Sequence, residues 1–128
     1  MERTIRIGKR EIKPLFDLAA WEMIEERFGE LDAALSKLND KENVKECRKA
    51  TIALAAILCR NALEAQGETP DITEEMMRRA IPIKRVGDVR LAVVMAINEG
   101  FESDYDPADE EPVDVVLEEL AKKTNPGE

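Results

Sequence analysis

"FDLAAWEMIEERFGELDAAL", Phe16 to Leu35, decides the fold. Asp17 stands where an N-cap stands, with a carboxylate free to accept from the first turn of a helix. Leu18, Trp21, Ile24 and Phe28 then recur at helical spacing and form one apolar stripe. Gly29 ends that helix, because glycine enters the left-handed conformation of a helix stop at little cost. Leu31, Ala34, Leu35 and Leu38 make a second, shorter stripe. The stretch also holds the only tryptophan and two of the three phenylalanines. Trp21 and Phe28 share the stripe with Leu18 and Ile24, so they read as core packing and not as a ligand platform. Met23, off the stripe, is a candidate surface contact.

Upstream, "TIRIGKREIKPLF" alternates apolar and charged residues. That period predicts a β-hairpin with Ile5, Ile7 and Ile12 on one face and Gly8-Lys9-Arg10 as the turn. Pro14 ends the second strand or places it at an edge. A lone hairpin is marginal in water and must lean on helices or on another chain.

Downstream, the longest helix is predicted over 42–64, with Val44, Cys47, Thr51, Leu54, Leu58 and Ala62 as its main stripe. No charge occurs from Ala50 to Cys59, so this half reads as buried all round, the centre of a bundle. Asp71 with Glu74 reads as a capping box for a short helix over 72–80, which Pro82 stops. A fifth helix is predicted over 84–99. Val86, Val89, Val93, Ala96 and Ile97 form its stripe, while Leu91, Val94 and Met95 lie off it. The expected fold is therefore mainly α: a bundle of about five helices with an N-terminal hairpin over residues 1–101. An acidic linker over 102–112 and an amphipathic tail helix over 113–128 follow.

A chain of 128 residues, 44% apolar and 37% charged, is one ordinary domain. The net charge of −9 lies wholly in residues 99–128, which carry 11 acidic and 2 basic side chains. The rest is neutral and densely charged with both signs. No basic block supports nucleic-acid binding. The uncharged runs are too short to span a membrane, and "MERTIRIGKR" does not read as a signal peptide.

Histidine is absent, which removes Ser-His-Asp and Cys-His nucleophile systems and His-ligated metals. Cys47 and Cys59, twelve residues apart in one helix, would stand about 18 Å apart, beyond the roughly 7 Å a disulfide allows. They read as inert core thiols in a reducing cytoplasm. The acidic run from Asp104 fails as an EF-hand loop, since its sixth and twelfth positions are Asp109 and Val115. Glutamate pairs at 25/26, 74/75, 110/111 and 118/119 do not face each other on a helix and read as polar faces. Arg78-Arg79 and Lys84-Arg85 read as solvated surface. No catalytic, cofactor or metal site is expected.

The remaining surface is apolar. In the tail, Val113, Val116, Leu117, Leu120 and Ala121 follow i, i+3, i+4, i+7, i+8 behind Pro112. Such a stripe either folds back onto its own domain or lies in a partner's groove, and both readings stay open. Leu91 and Met95, with Val113, Val116, Leu117 and Leu120, are the candidate protein contacts.

The order of these elements resembles the tail assembly chaperones of long-tailed bacteriophages and prophages. The resemblance lies in the hairpin ending in Phe16-Asp17-Leu18, the helix closing on Glu25 with Phe28 and Gly29, Leu31 with Ala34 and Leu35, and Ile72-Thr73-Glu74-Glu75. It covers roughly residues 3–101; the acidic segment and tail depart from the family's usual ending. It implies a non-enzymatic protein in the cytoplasm of the bacterial host, absent from the mature virion. The implied partners are the tape measure protein and tail tube protein, with self-association through the hairpin's free edge as a further expectation. The rival from another class is a small bacterial regulatory or adaptor domain.

Overall fold

The computed structural model describes residues 3–102. Chain order is β1 (Ile5–Ile7), β2 (Arg10–Ile12), α1 (Leu18–Phe28), α2 (Leu31–Leu38), α3 (Val44–Ala65), α4 (Glu74–Ala80), a 3-10 turn (Ile83–Arg85) and α5 (Val86–Glu102). The protein is mainly α, with a two-stranded antiparallel hairpin at its N-terminal end.

The hairpin pairs Ile5 with Ile12 and Ile7 with Arg10. Its turn is therefore the two residues Gly8-Lys9, one shorter than expected. Gly8 has φ 65°, as the first central residue of a tight hairpin turn requires. Ile5, Ile7 and Ile12 are buried together against the helices, which supplies the support that two strands lack alone.

α3 is the axis of the bundle and packs against all four other helices and β2. From Ala50 to Leu63 only Ile57 and Arg60 are not fully buried. The polar groups caught there are satisfied. Thr51 Oγ1 donates to the Cys47 carbonyl at 2.8 Å. Asn61 Nδ2 donates to the Leu15 carbonyl at 3.1 Å and to Asp17 Oδ1 at 2.9 Å. Asp17 Oδ1 also accepts the Ala20 N–H at 3.0 Å and so caps α1. One buried amide thus fixes the strand-to-helix corner and orients its cap.

Aromatic packing closes the same corner. Phe16, Trp21 and Phe101 meet with ring centroids 5.2 to 5.9 Å apart. Gly100 makes this possible, because a Cβ there would collide with the Phe16 ring and carbonyl oxygen. Gly29, at φ 93°, ends α1 as expected, and its N–H donates to the Glu25 carbonyl.

Three local expectations are corrected. Leu18 is 76% exposed. The buried face of α1 centres on Ala20 and Ile24, and six residues at about 100° each carry Leu18 roughly 120° away from Ile24. Val44 is 67% exposed, because it is the first residue of α3 and burial on that helix begins only at Ala50. Asp71 does not cap α4. Thr73 does, accepting the Met76 N–H at 3.1 Å, and α4 starts two residues late. The Asp71 carboxylate instead takes the Arg10 guanidinium at 2.9 Å. That ion pair holds its carboxyl below the usual range. Ile72 between them is fully buried.

Candidate protein-binding groove

An apolar groove with a charged rim lies where α4 and the 3-10 turn meet α3. "MMRRAIPIKRV", Met76 to Val86, folds as a helix end, a proline and a single 3-10 turn. Pro82 adopts φ −63° and ψ 145°, so the chain leaves α4 extended and lifts Ile83 clear of the core. Ile83 is 91% exposed. Beneath it opens a groove of about 470 Å³, lined by Ile52, Met77, Ile81, Ile83 and Val86 and by Arg27, Arg48, Lys49, Arg78 and Glu74. Ile52, Met77 and Ile81 are buried core residues that form its floor.

The rim is cationic in a protein of net charge −9. Its one carboxylate, Glu74, is shared by Arg27 at 3.3 Å and Arg78 at 3.7 Å. Arg78 also reaches Glu75 at 2.7 Å. Arg27 stacks over the Phe28 ring, 5.4 Å from its centroid, which fixes it as one wall. Arg48 and Lys49 are exposed and have no ion-pair partner among the described residues. Val44 on α3 and Met76 on α4 are also exposed, at 67% and 44%, but neither lines the groove. An apolar floor with unpaired cations at its edge suits the apolar face of a helix whose flanks are acidic.

A second hollow, of about 730 Å³ between the hairpin and the start of α5, is lined by Arg3, Arg6 and Arg85 among others. There Arg6 is paired with Glu11 at 3.0 Å and Arg85 with Asp88 at 3.7 Å, so less charge remains for a partner.

The expected contact residues fall elsewhere. Leu91 is 38% exposed on α5. Met95, one turn on, is half-buried in a shallow crevice beside Arg3, Lys13 and Pro14. Neither lines the groove. Met23 is half-buried on α1. Val113, Val116, Leu117 and Leu120, with the acidic segment, lie outside the described residues. The groove was missed because its lining comes from five segments spread between residues 27 and 86. The signal in the sequence was Ile81 and Ile83 astride Pro82 between two basic pairs, which had read as solvated surface.

The two thiols, both expected in the core, differ: Cys59 is buried and Cys47 is half-buried. Cys59 is fully buried, and burial pushes its thiol up to about 12, so no thiolate forms near neutrality. Cys47 donates to the Leu38 carbonyl at 3.2 Å. Among the described residues no cluster of three or more Asp, Glu or Cys side chains could hold a metal ion, and no helix is long and apolar enough to cross a membrane. No family model, curated protein or solved structure matches the chain.

Proposed function

We propose that the protein is a tail assembly chaperone of a long-tailed phage or prophage, acting by reversible protein binding and not by catalysis. The observation that carries this reading is the groove: among the described residues it pairs an apolar floor and the exposed Ile83 with cations at its edge, two of which, Arg48 and Lys49, have no ion-pair partner there. An exposed isoleucine over an apolar floor, with cations beside it, is the arrangement that receives the apolar face of an acidic amphipathic helix. Tape measure proteins, which the resemblance implies as partners, are long helices with apolar stripes that need cover before the tail tube closes around them. In this reading Ile83 inserts into such a stripe, the buried floor receives the facing side chains, and Arg48 and Lys49 meet acidic flanks. The densely charged remainder keeps the complex soluble. The Phe16-Asp17-Leu18 corner and the Phe28-Gly29 junction support the reading, since they carry the resemblance.

Co-expression with the tape measure protein of the same phage or prophage tests it. The tape measure protein should move from the insoluble to the soluble fraction and co-purify with this chain. Unchanged solubility, with no co-purification, would count against it.

A further inference from the structure

We infer that the outer edge of β1 receives an extended segment of a partner protein, added as a third strand, with one acidic side chain of that segment held by Arg3. This is a second surface, and it does not depend on the reading given to the groove. Register sets the edge. Among the described residues the sheet holds only β1 and β2. Ile7 and Arg10 flank the two-residue turn, and Ile5 faces Ile12. Those two pairs exchange the ladder hydrogen bonds, so Arg6 and Glu11, paired between them, do not. The N–H and C=O of Arg6 therefore point away from β2, as do those of Thr4. Among the described residues these groups have no backbone partner on that side. They form a short open ladder, which an incoming strand can complete.

The hollow of about 730 Å³ lies beside this edge, walled on the other side by residues 80–89. Ile5, Ile81 and Val89 are buried core residues that make its apolar floor. A strand turns alternate side chains to one face, so every second residue of the segment lies over that floor and the others face water. Charge supplies the rest of the description. The lining holds three guanidiniums and two carboxylates. Glu11 takes Arg6 and Asp88 takes Arg85, which leaves Arg3. Among the described residues nothing accepts a hydrogen bond from Arg3, and its Nε–H is buried without an acceptor. Such an N–H costs free energy until an acceptor is supplied. A small turn of a side chain that nothing holds presents the guanidinium to a carboxylate in the hollow, which it can grip through both oxygens. Arg3 stands two residues before Ile5 and lines the hollow with it. In antiparallel pairing, the commoner and slightly stronger mode, the acidic residue therefore falls at the C-terminal end of the segment.

Nuclear magnetic resonance titration of the full, isotope-labelled chain tests the site. The probe is a capped pentapeptide, valine-threonine-valine-threonine-glutamate, taken to millimolar concentration. It should bind saturably, shift the Arg6 amide and Arg3 Nε–H signals, and slow hydrogen exchange at the Arg6 amide. The same peptide ending in glutamine should bind about 10-fold weaker, the loss expected for one charge-assisted contact. Arg3→Gln should erase the difference between the two peptides. Arg6→Pro should abolish binding, since proline removes only the outward N–H, a change an edge strand tolerates. The spectrum of that variant shows whether its hairpin still forms, and if it does not, the two peptides and Arg3→Gln decide alone. No shift at millimolar peptide, shifts centred on another face, or equal affinity for the two peptides would overturn the inference. So would an Arg6 amide signal that moves with protein concentration alone, because a second copy would then hold the edge. Ile83 lines the groove and not this hollow, so Ile83→Asp should leave affinity for the peptide unchanged. A loss there would place the peptide in the groove and overturn the inference, whatever the tape measure protein does.

Discussion

Asn61 and Gly100 show how single side chains set the position of whole elements. Asn61 is buried on α3, yet its two hydrogen bonds hold the Leu15 carbonyl and the cap of α1. Gly100 lets α5 lie directly on Phe16. Gly100→Ala should therefore cost about 1–3 kcal/mol by forcing the aromatic corner apart, read as a lower urea midpoint with reduced near-ultraviolet signal from Trp21. An unchanged midpoint would show that α5 does not approach so closely. Cys59 yields a pH-dependent expectation. Its thiol rises from 9.0 to about 12 on folding, so the unfolded chain loses this proton first as pH rises. The contribution is fully present below pH 9 and is lost between pH 9 and 12. Cys59→Ala should lower stability at pH 8 but flatten the decline between pH 8 and 10.5. In the native protein at neutral pH, alkylation should label Cys47 well before Cys59.

At the scale of elements, boundaries follow caps, and caps depend on partners that local sequence does not reveal. Asp71 has the right chemistry to cap α4, but Arg10 lies 61 residues away in sequence and claims its carboxylate. Thr73 caps instead, so Thr73→Ala should cost about 1 kcal/mol. Asp71→Ala should cost less, since the ion pair it breaks is exposed. Comparing the urea midpoints of the two variants checks the assignment. The hairpin face was legible because a period of two leaves Ile5, Ile7 and Ile12 one way to be buried together. The central helix was legible because ten consecutive uncharged residues put apolar side chains on every face of a helix, and all of those faces must be buried. The phase of α1 was not legible, because Leu18 and Ala20 compete for the core and only packing against α2 and α3 decides. Arg90 was equally hidden. From α5 it donates to the Leu38 carbonyl at 2.9 Å and to Asn39 Oδ1 at 2.6 Å. It thereby fastens the end of α2 through groups that no periodicity announces.

For the whole molecule, the fold and the site differ in legibility for one reason. Elements are local, so hydrophobic period identifies them. The groove gathers Arg27 from α1, Arg48 and Lys49 from α3, Met77 from α4 and Ile83 from the 3-10 turn, and their meeting is a property of the bundle alone. Charge is likewise distributed at this scale: a near-neutral body bears one cation-edged apolar groove, and the acidic excess lies in residues 99–128. A partner that joins an acidic flank to an apolar stripe satisfies both features of the groove at once. Binding should therefore weaken as salt screens the Arg48 and Lys49 contacts, over a Debye length that shrinks from about 10 Å at 0.1 M to about 3 Å at 1 M. The most direct measurement is calorimetric titration of the full chain and its Ile83→Asp variant with a helical fragment of the tape measure protein. Saturable binding that falls at least about 10-fold in Ile83→Asp, with an unchanged circular dichroism spectrum, is the predicted result. Equal affinity for the two chains, or no binding to either, would contradict the account.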